Sequence, residues 1–162
     1  MKNNVLLTAS LAALYTITSC AQSNVPQVEG SRTDFAMSFF RSVNASAPKN
    51  ENVVISPYSA GVALSMLMEG AEGQTRAELD NALNGCMFKV EDLGGEDMTV
   101  ASANSVWIDD DFSVRNHYVN LLQKDYDALA ETLNFADPAT LRAINNWCSE
   151  HTDGKITEIL DT

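Results

Sequence analysis

Asn52-Val-Val-Ile-Ser-Pro-Tyr-Ser-Ala-Gly-Val-Ala-Leu-Ser-Met-Leu-Met-Glu-Gly-Ala-Glu-Gly-Gln-Thr75 decides how the rest of the chain is read. A short apolar run, a strand candidate, stops at Ser56-Pro57, and an apolar helical segment follows. Ser56 suits an N-cap, because its hydroxyl can accept one of the helix's orphan amide hydrogens. Pro57 suits the first helical position, where no amide hydrogen is needed. Tyr58, Val62, Ala63, Leu64, Met66, Leu67 and Met68 leave little of the helix for water, which predicts a place in the middle of a core. Gly70 and Gly73 break the helix. Thr75-Arg76-Ala77-Glu78 has the form of a capping box that starts another.

The chain has 162 residues, 45% of them hydrophobic, which suits one packed domain. Its formal net charge of -12 argues against a nucleic-acid surface. Residues 1–19 read as an export signal. Lys2 precedes a mostly apolar run from Val5 to Ile17, too short to span a bilayer comfortably. Ile17-Thr18-Ser19-Cys20 resembles the lipobox of bacterial lipoproteins, which makes Cys20 the expected lipidated residue. The resemblance implies export across the inner membrane and a membrane anchor through Cys20, on a periplasmic or cell-surface face. Residues 20–30 read as a polar tether, and residues 31–162 as the folded part. Cys86 and Cys148 are too few for a disulfide framework, and nothing in the sequence makes them meet.

Along the folded part, Ser31 or Thr33 can cap a helix whose face carries Phe35, Met37, Phe39, Phe40 and Val43. Gly85 is placed to end the Thr75 helix. Residues 86–97, with Gly94-Gly95, read as a short helical piece or a loop. Thr99 to Ile108 is a strand candidate with both faces covered. Asp109-Asp110-Asp111 reads as a solvated turn, because it lacks the alternating ligands and glycine of a calcium loop. A helix led by Ser113 or Asn116 should bury Tyr118, Leu121, Leu122 and Tyr126, and a strand spans Ala128 to Phe135. Asp137-Pro138 repeats the cap-plus-proline start, with Leu141, Ile144, Trp147 and Cys148 in one stripe up to Asp153-Gly154. Two strands are a marginal sheet. The isolated chain is therefore expected to be poorly folded or self-associating.

No constellation for catalysis stands out. There is no Gly-x-Ser-x-Gly elbow, and nothing brings His117 or His151 to Ser56 or Ser59. The Glu69–Gly73 turn is acidic and lacks the lysine of a phosphate loop. No enzyme activity, cofactor or metal is expected.

Five segments in order resemble the amino-terminal part of a serpin. They are Asn52 to Ser59, Leu64 to Thr75, Ala103-Asn-Ser-Val-Trp107, Asn134-Phe135, and Ile144-Asn-Asn-Trp-Cys-Ser-Glu-His-Thr-Asp-Gly-Lys-Ile156. The resemblance implies an α+β fold: several helices and strands of the family's large sheet, incomplete. It implies a protease inhibitor that works as a trap. A serine or cysteine protease cuts an exposed reactive loop, and the loop inserts into the large sheet as a strand while the protease is still acylated. The resemblance assigns Ser56, Ser59 and Asn104 to the shutter, the region where that sheet parts. It assigns no reactive loop to residues 31–162, so the chain alone is expected to be inactive. A different class of function, a non-inhibitory serpin-fold lipoprotein acting as a binding or scaffold protein, is the alternative.

Overall fold

The computed structural model describes residues 31–95, 97 and 100–161. The expected signal, Cys20 and the tether, together with Thr99, lie outside the described residues. Among the described residues, five helices and one two-stranded sheet follow in the order α1 (Arg32–Ser46), α2 (Pro57–Gly70), α3 (Gly73–Ala82), β1 (Asn104–Asp109), α4 (Asn116–Tyr126), β2 (Ala128–Leu133) and α5 (Pro138–His151). The fold is α+β.

Helix α2 starts as its sequence dictates. Ser56 is extended and its hydroxyl accepts the Ser59 amide at 3.2 Å, with Pro57 in the first turn. Val62, Ser65, Met66 and Met68 are buried, whereas Ala63 and Leu67 face outward. The helix is thus central but covered on one flank, because no element among the described residues packs against the other. The preceding residues 52–55 form no strand, and Val54 is 92% exposed. An extended run becomes a strand only when a neighbour takes its backbone bonds, and none of the described strands is that neighbour.

Helix α3 begins earlier than the Thr75 box suggests. Its N-cap is Glu72, without a side-chain cap, and Thr75 lies inside the first turn. Gln74 donates instead to the Glu78 carboxylate at 2.7 Å, one helical turn on. The helix ends at Ala82, and the turn after it closes at Gly85, which adopts φ +70° and returns its amide to the Asp80 carbonyl at 2.9 Å. In α1, Ser31 is the cap. Of its apolar face, Phe35 is buried and Phe39 packs on the core, while Met37 and Phe40 remain exposed. The Phe35 ring lies 5.2 Å from the Phe88 ring and joins the same core cluster as Val62 and Met66 of α2.

Strands β1 and β2 pair in parallel, Asn104 opposite Ala128 through Asp109 opposite Leu133, with α4 as the crossover. β1 starts at Asn104 rather than Thr99 because β2 offers partners over these six residues alone. α4 has Arg115 at its N-cap position, with no side-chain cap, and buries Leu122 and Tyr126 fully. Asp127 ends it in the left-handed conformation.

The core joins Phe35, Val62, Met66, Met68, Leu83, Cys86, Phe88, Leu122, Tyr126 and Ala128. Residues 86–91 have no regular structure, yet Cys86 and Phe88 are buried. This loop is pinned at three points. The Phe88 amide donates to Ser65 Oγ at 3.0 Å, Tyr58 Oη donates to the Lys89 carbonyl at 3.2 Å, and the Glu91 amide donates to Tyr58 Oη at 2.7 Å.

Candidate functional site

The hydroxyl pair at the start of α2 follows from local geometry. Residues three apart in the first turn of a helix share a face. Ser56 Oγ lies 2.8 Å from Ser59 Oγ, and both residues are exposed. Asn104, at the first position of β1, turns elsewhere and donates from Nδ2 to the Tyr126 carbonyl at 3.1 Å. The structure therefore brings Ser56 and Ser59 into contact and uses Asn104 to tie β1 to the end of α4.

The face of the β1–β2 sheet opposite the core carries α5. The Trp147 ring meets the Trp107 ring edge-on, with centroids 5.9 Å apart and planes at 84°. His151 stacks on Trp147 at 4.3 Å, and its Nδ1 lies 2.8 Å from the Trp147 carbonyl. An aromatic series thus runs from the strand to the end of the helix. Asp137 caps α5 by accepting the Ala139 amide at 2.8 Å. Thr140 Oγ1 donates to the Asn134 carbonyl at 2.5 Å and anchors the helix to the end of β2. Beneath the first turns lies an apolar cleft of about 570 Å³, lined by Phe135, Pro138, Leu141, Ile144 and Leu160 among others.

Polar groups elsewhere hold the fold. Asp109 Oδ1 accepts the Asp111 amide at 3.0 Å and Oδ2 accepts the Phe135 amide at 3.2 Å, so the first acid of the Asp109–Asp111 run closes the turn after β1. The three carboxylates come within 4.8 Å of one another. Burial pushes the Cys86 thiol up, and Cys86 and Cys148 are both thiols. Burial, reinforced by Glu69 and Asp125, pushes the Tyr126 phenol up to about 12. The Tyr118 phenol is also raised by burial, with Glu69 adding to it. Tyr118 Oη donates to the Met66 carbonyl at 3.0 Å and locks α4 to α2.

Three residues with structural work were not singled out from the sequence. A lone hydroxyl in an apolar helix signals a buried partner, and that signal could have found Ser65. Tyr58 reads as a core residue in the sequence, and its hydroxyl also pins the loop at Lys89 and Glu91. Asn145 carried no local signal. Its amide serves the backbone of Ile159 and Leu160, fourteen and fifteen residues away.

Known proteins match both the sequence and this arrangement. The chain is 30% identical over 149 residues to the leukocyte elastase inhibitor of Sus scrofa, covering 83% of this chain and 39% of that protein. It is 31% identical over 142 residues to Serpin B8 of Homo sapiens, covering 78% and 37%. The chain spans about two fifths or less of the length of these relatives. Among solved structures, the thermophilic serpin Tengpin in its latent state superposes with a TM-score of 0.70 at 28% identity, over 81% of this chain and 38% of that one. Tengpin in its native state gives 0.68 at the same identity, over 80% and 35%. The family model for serpins, serine protease inhibitors, matches residues 30–162. With that match running through every described element from α1 to α5, the chain belongs to the serpin family.

Proposed function

We propose that this chain is the amino-terminal part of a secreted, lipid-anchored bacterial serpin whose complete form traps serine or cysteine proteases. The observation that supports the inhibitory part of this reading is the family match over residues 30–162, together with relatives named as protease inhibitors; export and the anchor rest on the sequence of residues 1–20 alone. The parallel β1–β2 pair with α5 across its face supplies the frame on which such a trap is built. In that reading Ser56 and Ser59 belong to the region where the large sheet parts. Their mutual bond and exposure suit it, because small hydroxyls can exchange partners as strands separate without opening a large void. Asn104 belongs to the same region through its strand. The protein itself contributes no catalytic group. The protease supplies the nucleophile, and the inhibitor supplies a bond to cut and a sheet to fill. Cys20 carries the lipid, and two or more acyl chains make the attachment stable.

The test has two arms. The purified chain is incubated with a panel of serine and cysteine proteases and run on a denaturing gel. No denaturant-stable complex is expected, and finding one would show that residues 31–162 suffice. The DNA beyond Thr162 is then translated, and the joined polypeptide is tested in the same way. A covalent complex supports the trap. Plain cleavage of a well-folded joined protein removes the inhibitory reading in favour of a binding scaffold. For the anchor, Cys20→Ser should abolish acyl labelling and release the protein from membranes.

A further inference from the structure

Asn84-Gly85 is the one Asn-Gly pair in the sequence, and it stands in the turn that closes α3. Both residues have positive φ, 53° and 70°, a conformation that asparagine and glycine tolerate better than other residues. Every backbone amide through this turn is engaged. Leu83 donates to the Leu79 carbonyl at 2.9 Å, Asn84 to Asn81 at 3.0 Å, Gly85 to Asp80 at 2.9 Å and Cys86 to Leu83 at 3.0 Å. The pair is also held between two core residues. Leu83 is fully buried and Cys86 nearly so, whereas Asn84 is exposed. Asn-Gly carries a chemistry of its own. Glycine has no side chain to crowd its nitrogen, so that nitrogen can attack the amide carbon of the preceding asparagine side chain.

We propose that Asn84 is a deamidation site, locked in the folded turn by the Gly85 amide bond and released when the end of α3 opens. In the first step the Gly85 nitrogen gives up its proton and bonds to Asn84 Cγ. The Cγ–Nδ2 bond breaks, Nδ2 leaves as ammonia, and a five-membered imide remains. Water then opens the imide at one of its two carbonyls, giving aspartate or isoaspartate. No oxidant, reductant or metal enters the balance. The folded turn opposes the first bond, because the Gly85 hydrogen is held by the Asp80 carbonyl and turning that nitrogen toward Cγ breaks the bond. Isoaspartate puts one extra backbone carbon between Leu83 and Cys86, so the turn cannot re-form with both residues in the core. The change is therefore one-way, and it marks each molecule whose α3 end has opened. It stands independently of the inhibitory reading.

The test incubates the whole chain at low concentration and mildly alkaline pH, with and without denaturant, and maps the peptides by mass. Enzymatic methylation of isoaspartyl carboxylates separates the two products. In denaturant Asn84 should be modified ahead of the other asparagines. Without denaturant its reaction should be slower by about tenfold or more, in step with hydrogen exchange of the Gly85 amide. The isoaspartyl form should unfold at a lower midpoint. Asn84→Asp, which adds the charge without the longer backbone, should unfold close to the unaltered chain, and Asn84→Gly should keep the turn and abolish the reaction there. Equal rates in both conditions, or a Gly85 amide that exchanges freely, would overturn the lock. An isoaspartyl form with an unaltered midpoint would overturn the one-way step, and other asparagines reacting ahead of Asn84 in denaturant would overturn the site.

Discussion

Trp107 on β1 and Trp147 on α5 meet edge to face, with ring centroids 5.9 Å apart, so an aromatic contact joins the helix to the strand. Edge-on pairs of this kind contribute about 0.5–1.5 kcal/mol beyond their buried area. A double-mutant cycle with Trp107→Leu and Trp147→Leu should return a coupling in that range. A coupling near zero would mean that α5 is placed by its Thr140 anchor and Asp137 cap rather than by the rings.

Gly61 is where α2 passes the loop most closely. A methyl group there would stand 2.6 Å from the Phe88 ring, at its base rather than its tip. Gly61→Ala gains about 1 kcal/mol of helix propensity. It loses about 1–3 kcal/mol to overpacking, and Phe88, 4% exposed, has little room to yield. The net expectation is a lower unfolding midpoint. A stabilised variant would show that the loop carrying Phe88 yields readily.

The two serines of the hydroxyl pair should separate by effect. Ser56→Ala removes the α2 cap and should cost about 1 kcal/mol. Ser59→Ala removes a bond between exposed hydroxyls and leaves the cap intact, so its cost should be a small fraction of that. Denaturant midpoints at constant slope check the order. If Ser59 proves the more costly, its hydroxyl has a second role in the folded chain.

Alkaline stability should follow Tyr126. Its phenol titrates near about 12 in the folded protein and near about 10 in an unfolded chain. Between those values the unfolded state has lost the proton and the native state keeps it, so stability falls as pH rises. The contribution is complete below about pH 10 and is gone above about 12. Tyr126→Phe should flatten this part of the profile, measured by thermal unfolding across the alkaline range.

Self-association should accompany the uncovered apolar surface. Val54, Leu67, Phe112 and Ile159 are all more than half exposed, and both outer edges of the β1–β2 pair are unpaired among the described residues. Unpaired edges recruit other chains. Sedimentation velocity should show mass increasing with concentration, and a strictly monomeric species would contradict this.

Punctuation residues made much of this architecture readable. Ser56-Pro57 and Asp137-Pro138 start helices, and Gly85 and Gly154 follow helix ends with positive φ, because each of these choices is settled within one turn of chain. Ser56 and Ser59 could be seen as neighbours for the same reason. What escaped was decided at a distance. Residues 52–55 have strand character, but no described strand is their neighbour. The Thr75 box had the right letters and lost to a start at Gly73. Asn104 chose the Tyr126 carbonyl and Asn145 the Leu160 backbone, and no periodicity carries such choices. The outward flank of α2 was hidden too, since composition shows that a helix is apolar but not which neighbours it has.

The parallel pairing of β1 with β2 also sets an order of assembly. Asp109 and Ala128 are joined by a single turn and one helix, so the loop that must close is short and its entropic cost is small. Contacts at this separation cost less chain entropy than any with more distant parts of the chain, although parallel pairing itself is slow. The sheet therefore begins as a local seed, and any strand added to it finds Asn104–Asp109 already laid out as a template.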